Sequence, residues 1–339
     1  MKLLVVSDRS QEEDETNFLV NEFKKYSEID IINTKIKREK TTFVDRILHK
    51  IGIEIDKGKI NYRILEAIAN KKYNAVLIMR GNRLTPTTIN KLSKETHVIG
   101  YSGDNMCRWF NRTSNYIEGL KHYKLLFVTN IPAYREIERY TKAGVIYFDK
   151  RASRSLHVPK SIENCEKIFD ITFIGSYEKE RAKTLHLLAK EGFVINIWGN
   201  GWWKNNQKHA NMQIHYKDVI GEDYARIIRK SKIVLGFLRK ANDDTQTSRT
   251  FEITACGTFA LLERTAEHVR LYKEGEEIEC FSTESELVAK VKKYLINSQL
   301  REEIAMRGYK RVVKDGYYFD VLAKEIFQTI KSITVLEKS

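Results

Sequence analysis

The chain of 339 residues is expected to fold as α/β, with two doubly wound parallel sheets. Three observations point there. Short apolar runs rich in Val, Ile, Leu and Phe alternate with helix-length segments almost throughout, as in parallel sheets covered on both faces. There are eleven such runs, too many for one ordinary sheet. One polar stretch, residues 151–166, holds one of only three prolines, Pro159, and lacks periodicity, so the domain boundary is expected there.

The runs are residues 3–7, 30–33, 75–79, 98–101, 125–128 and 145–148, then 171–174, 194–198, 233–236, 259–262 and 278–281. Asp170 to Ser176 restarts the pattern as a new first strand and turn. Phe319, Leu322, Ile326 and Ile330 have helical spacing. That terminal helix either crosses back onto the first domain or packs on its own. The expected division is 1–155, 156–316 and a helix in 317–339.

At 42% hydrophobic and 31% charged, the composition is that of a soluble globular protein. No run approaches the apolar length that spans a bilayer. The apolar start, Met1 to Val6, meets the acidic cluster Glu12 to Glu15 too soon for a signal peptide and reads as a strand. Cys107, Cys165, Cys256 and Cys280 are far apart, which argues for reduced thiols in a cytoplasm and against structural zinc. The histidines form no metal-binding pair, and Asp243-Asp244 lacks an Asp-x-Asp spacing. Metal-independent chemistry without a cofactor is expected.

The formal charge is +14 and uneven: residues 35–112 hold 17 Lys/Arg against 7 Asp/Glu. Such a surface attracts nucleic acid, anionic lipid or a phosphorylated acceptor, or is simply solvated. No helix-turn-helix, RNP or zinc-finger pattern accompanies it, so no nucleic-acid partner is expected.

Ligands of doubly wound sheets bind beyond the C-terminal ends of the strands. In the second half, Gly175, Ser176 and Arg181 follow one strand, and Gly199, Asn200 and Gly201 the next. Arg239, Lys240, Asp243 and Asp244 follow a third, and Glu263-Arg264-Thr265 a fourth. The most informative stretch is Thr247 to Gly257. Thr247 and Ser248 open a short helix that Gly257 ends in the C′ position. Its first turn, with Arg249 and Thr250 and with Lys240 nearby, suits a diphosphate without a metal. Glu252, one turn in, can accept two hydrogen bonds from adjacent hydroxyls. A capping box for Glu252 would need Ser or Thr where Arg249 stands. A local Arg249–Glu252 ion pair remains the plainer alternative.

In the first half, Asp104 follows a strand between Gly103 and Asn105, where an Asx-turn aspartate is the plain reading. Arg80 and Asn82 follow another strand and could meet an anionic acceptor or line a solvated loop. Phe43, Ile47, Leu48 and Ile51, with Arg46, His49 and Lys50, read as a basic amphipathic helix. Packing on the sheet is its common meaning, and docking on a membrane surface the other.

Arg249-Thr-Phe-Glu252-Ile-Thr-Ala-Cys-Gly257, followed by Leu261-Leu262-Glu263, resembles the C-terminal domain of the CgeB-like (spore-maturation protein) glycosyltransferases. It is more distantly similar to family 4 glycosyltransferases of the GT-B fold. Asp170 to Ser176 with Arg181, Trp198 to Trp202, and Glu286 to Gly308 resemble further parts of that domain, so the likeness covers about residues 170–320. A looser likeness in the first half rests on Asn74 to Met79 and Gly100 to Asp104.

The resemblance implies a GT-B architecture, two Rossmann-like domains facing a cleft, with the nucleotide-sugar donor on the second and the acceptor on the first. Glu252 is similar to the family's ribose-binding glutamate. The second glutamate, eight positions earlier, is replaced by Asp244. The usual glycine-rich acceptor loop is replaced by Ser7-Asp8-Arg9. Asp8, Arg9, Arg80, Asn82 and Asp104 then form the acceptor side, and Asp104, Asp244 and Arg249 the catalytic set.

The expected activity is transfer of a sugar from a nucleoside diphosphate sugar, a UDP-sugar as first choice, to a glycan or lipid-linked acceptor. The setting would be bacterial cell-surface polysaccharide or glycoconjugate synthesis. Retention is favoured over inversion by the similarity to family 4. The place would be the cytoplasm or the inner face of an anionic membrane. The rival is a non-catalytic nucleotide-binding scaffold of a surface or spore-coat assembly.

Overall fold

The computed structural model describes residues 1–7, 15–35, 42–51, 53, 56, 58–160 and 166–336. Asp8, Arg9 and Cys165 lie outside them. The chain divides into two compact units. The first comprises Met1–Asp149, Lys240–Asp244 and Phe319–Ser339, and the second Lys150–Arg239 and Thr245–Tyr318.

The first unit runs β1 (Lys2–Ser7), α1 (Glu15–Phe23), β2 (Glu28–Asn33), α2 (Phe43–Lys50), α3 (Ile60–Asn70), β3 (Ala75–Met79), α4 (Pro86–Glu95), β4 (His97–Ser102), α5 (Ser114–Gly119), β5 (Leu125–Val128), α6 (Ile131–Ile137) and β6 (Gly144–Tyr147). Its strands pair in the order β2-β1-β3-β4-β5-β6, all parallel. Successive side chains of a strand point to opposite faces, so runs such as Ala-Val-Leu-Ile-Met in β3 are buried on both. Ile64, Ile89, Leu92 and Tyr116, from α3, α4 and α5, pack with Val76 and Ile78 on one face. Leu19, Val20 and Phe23 of α1 pack with Leu3, Val5 and Leu77 on the other.

The second unit runs β7 (Phe169–Ile174), α7 (Lys179–Lys190), β8 (Ile195–Trp198), β9 (Met212–Ile214), α8 (Gly221–Arg229), β10 (Ser231–Gly236), α9 (Ser248–Ala255), β11 (Phe259–Glu263), α10 (Ala266–Leu271), β12 (Glu279–Phe281), α11 (Glu284–Ile296) and α12 (Ser298–Lys314). Its parallel order is β12-β11-β10-β7-β8-β9, the doubly wound order in which the first strand of the unit lies beside the fourth. Both units are Rossmann-like, as the alternation of apolar runs implies.

The final helix, α13 (Phe319–Leu336), follows the second unit in sequence and packs in the first. Phe319, Leu322, Ile326 and Ile330 are buried among β1, β3 and α1, and Phe319 stacks on Phe18 with ring centroids 5.3 Å apart. Just before it, Tyr317 accepts a hydrogen bond from the Ala152 N–H at 3.0 Å, and the Arg154 guanidinium lies 3.9 Å from the Tyr318 ring centroid. Residues 151–160 thus fold within the second unit, and residues 161–165 lie outside the described residues.

All eleven expected strands form. β9 was not expected: three residues are too few for a pattern, and this edge strand leaves Gln213 exposed. One reading is corrected. Helix α2 does not bury its apolar face on the sheet, since Phe43 is 69%, Val44 60% and Ile47 47% exposed.

Candidate functional site

In a doubly wound sheet the binding crevice opens where the strand order reverses. In the second unit that point lies between β7 and β10. Three glycines shape the loops beside it. Gly175 donates its N–H to the Trp198 carbonyl at 2.9 Å and accepts from Trp202 Nε1 at 2.9 Å. Gly199 has φ 135°, and a Cβ there would stand 2.1 Å from the Gly175 oxygen. No L side chain fits that conformation or that gap. Gly201, at φ 83°, continues the turn, and the Asn200 carbonyl accepts from the Tyr177 N–H at 2.8 Å. Gly175, Ser176, Gly199, Asn200 and Gly201 therefore meet at one sheet edge, over the fully buried Trp202.

Arg181 bridges that edge. Its guanidinium donates to the Ser176 carbonyl at 3.2 Å and to the Leu238 carbonyl at 3.0 Å, joining the loops after β7 and β10. Glu263, at the end of β11, accepts from the Leu238 N–H at 2.5 Å. Burial lowers the Arg181 pKa. Much of its hydrogen-bonding fork thus goes to protein carbonyls, which makes it a loop-positioning cation as it stands.

Helix α9 begins at Thr247, whose backbone is extended. The capping box falls on Thr247 and Thr250, not on Glu252: the Thr250 hydroxyl accepts from the Thr247 N–H at 3.3 Å. The same hydroxyl lies 2.9 Å from His268 Nε2, while His268 Nδ1 lies 2.7 Å from the Glu263 carbonyl. A carbonyl only accepts, so Nδ1 carries the proton and Nε2 takes the Thr250 hydrogen. Burial holds His268 neutral, with its pKa lowered to about 4. At the other end, Gly257 at φ 65° and Thr258 donate back to Thr254 and Ile253 in the double bond of a Schellman turn.

Arg249 and Glu252 do not form the alternative ion pair. Tyr224 of α8 stands between them instead. Its hydroxyl donates to Glu252 Oε2 at 2.6 Å, and the Arg249 guanidinium lies 5.5 Å from its ring centroid. Burial keeps the phenol protonated by raising its pKa well above the ordinary value. His157 packs edge-on against Tyr224 at 5.8 Å, with Nδ1 accepting from the Ser153 N–H at 3.0 Å. Tyr224 and His157 were not expected as site residues. No strand-end or motif signal marks them, since both reach the carboxylate side of α9 only through packing. A carboxylate fixed by one phenol keeps lone pairs for further donors, and a cation on the same helix turn suits an anion.

The first unit holds a second constellation. Arg80, at φ 70° after β3, pairs through Nη2 with Asp104 Oδ2 at 3.0 Å. Gly81 and Asn82 continue that turn, with Gly81 at φ 76°. The Asx-turn belongs to the next residue, because Asn105 Oδ1 accepts from the Cys107 N–H at 3.1 Å.

Lys240–Asp244 also belongs to the first unit. Buried Asn242 accepts from the Asn105 N–H at 3.1 Å and from Asn111 Nδ2 at 3.2 Å, and donates to Asp244 Oδ1 at 2.6 Å. Asn130 Nδ2 donates to the same Asp244 oxygen at 3.2 Å, and Arg108 pairs with Asp243 at 3.0 Å. Asp244 and Lys240 are therefore placed by the first unit, while Arg239, Ser248, Arg249 and Glu252 belong to the second. Sequence position after β10 concealed this. Among the described residues no group of three or more His, Cys, Asp or Glu could hold a metal ion.

Residues 180–328 match the family model described as Glyco_trans_1_2, glycosyl transferase-like. The matched stretch runs from α7 into α13. No curated protein sequence matches the chain. Solved structures match over nearly its whole length. The sucrose-phosphate synthase of Thermosynechococcus elongatus has a TM-score of 0.71 at 12% identity, covering 98% of each chain. HepE of Anabaena, solved with UDP, has 0.66 at 9% identity, covering 98% of this chain and 100% of its own. An alpha-glucosyltransferase solved with UDP and DNA has 0.66 at 12% identity, covering 98% and 99%. At such identities these likenesses establish the two-domain Rossmann-like fold.

Proposed function

We propose that the protein transfers a sugar from a nucleoside diphosphate sugar, with UDP as the leading base, to a hydroxyl of a glycan or lipid-linked acceptor. The observation that carries this reading is α9, where the Tyr224-fixed Glu252 carboxylate stands one turn beyond Arg249 within the stretch that matches the glycosyl transferase-like model. Glu252 would accept from the ribose hydroxyls. Arg249 and the helix start, with Thr247, Ser248 and Thr250, would stabilise the diphosphate as it leaves. The Gly175–Ser176 and Gly199–Gly201 loops would let the ligand approach the backbone, with Arg239 as a further cation.

Asp104, paired with Arg80, would orient the acceptor hydroxyl, aided by Asn82. Retention of configuration is the reading favoured by the similarity to family 4. Synthesis of a surface polysaccharide or glycoconjugate, at the inner face of a membrane, is the setting that fits a lipid-linked acceptor and a +14 chain.

The test is release of nucleoside diphosphate from a panel of UDP-, GDP- and dTDP-sugars, with soluble glycans, polyprenyl-linked sugars and duplex DNA as acceptors. Release that depends on a glycan or lipid-linked acceptor is expected. DNA-dependent release would make nucleic acid the acceptor, in line with the neighbour solved with DNA. If no donor yields nucleoside diphosphate under any condition while UDP still binds, the scaffold reading replaces transfer.

A further inference from the structure

We propose that helix α2 and the loop at 109–112 form one docking surface for a bilayer that carries anionic phospholipid. Phe43, Ile47 and Ile51 stand four residues apart and so share a face. With Val44 on the same side, they are 47–69% exposed, and Ile53, just beyond, is 53% exposed. Neither apolar core of the first unit includes them. Hydrogen bonds fix both ends of the helix. The Thr42 N–H donates to Asp45 Oδ2 at 2.6 Å and the Asp45 N–H to Thr42 Oγ1 at 3.1 Å, a reciprocal cap. Its last residue, Lys50, donates through Nζ to the Trp109, Phe110 and Arg112 carbonyls at 2.7, 2.6 and 3.2 Å.

That lysine fixes the loop beside the helix, with its ammonium 6.0 Å from the Trp109 ring centroid. Trp109 itself is 75% exposed. An indole and several aliphatic side chains are thus presented together to water, which a folded chain keeps only where the patch has another use. The charge around the patch says which. Arg112 is exposed beside it, and the helix with its flanks, residues 35–59, holds eight Lys/Arg against four Asp/Glu. Tryptophan with aliphatic anchors and cations is the composition of surfaces that lie in the headgroup region of anionic membranes. A protein partner for the apolar side chains alone would not need that charge.

This inference deepens the lipid-linked part of the proposed function. Its test contains no transfer step, so the two readings fail separately. The full chain is sedimented with vesicles of phosphatidylcholine alone and with about one-third phosphatidylglycerol. Binding to the anionic vesicles, falling as salt rises, is expected. Ile47→Glu and Trp109→Ala should each weaken it about tenfold or more. UDP binding, measured on the same preparations, should not change, which shows that the variants are folded. Three results overturn the proposal: no binding of the wild-type chain, equal binding to neutral vesicles, or binding that both variants retain. A dimer in solution that both variants dissolve would also overturn it and make the patch a self-interface.

Discussion

Tyr224→Phe removes one hydrogen bond and almost nothing else. The ring stays under Arg249 and against His157, but the hydroxyl that reaches Glu252 Oε2 at 2.6 Å is gone. A hydrogen bond to a charged group contributes about 1.5–3 kcal/mol. Glu252 is half-buried, so water recovers part of this. A loss of about 1–1.5 kcal/mol in UDP affinity remains, roughly five- to tenfold in Kd. Glu252→Gln, which removes the acceptor charge itself, should cost about ten- to a hundredfold.

The assay is calorimetric titration of UDP into wild type, both single variants and the double variant, with thermal melts as a check on folding. If the phenol acts by orienting the carboxylate, Tyr224→Phe costs little more once Glu252 is already Gln. The coupling should then approach the whole single-variant effect. Wild-type affinity in Tyr224→Phe, or losses that add in the double variant, would refute this account of Glu252.

Gly199→Ala should cost about 2–4 kcal/mol of stability, since both its φ and the 2.1 Å gap to the Gly175 oxygen exclude a methyl group; a lowered melting temperature with weakened UDP binding would show it. Asn242→Ala leaves the Asn105 N–H without its acceptor and removes a donor from Asp244, so a loss of about 1–3 kcal/mol is expected in urea unfolding. His268 supplies a pH dependence. Its pKa, about 4 when folded against 6.5 ordinarily, means the unfolded chain binds the proton more readily, so stability rises with pH across that window. Its contribution, on the order of 3 kcal/mol, is complete above the ordinary value and lost as pH falls toward 4. His268→Gln should flatten the acid limb of unfolding midpoints between those values, and an unchanged slope would refute the assignment.

Much of the fold was legible because parallel strands buried on both faces are apolar along their whole length. The signal fails where a strand is short and at an edge, as in β9. It also fails for α2, where a helical apolar face is present but the sheet does not cover it. The glycine loops after β7 and β8 were legible for a related reason. Gly175, Gly199 and Gly201 stand directly after strands, and close backbone approach there admits only small residues.

What the sequence determined by itself is therefore local: alternating elements, the glycine turns after β7 and β8, and the helix bounded by Thr247 and Gly257. What tertiary structure decided is which separate segments share a site. Tyr224 meets Glu252 across 28 residues, and Thr250 meets His268 across 18. Lys240–Asp244 folds with asparagines 112 to 137 residues away. The place of Glu252 in its helix was readable from the local sequence. Its phenol partner was not, because hydrogen bonds between distant residues leave no periodicity in a single chain.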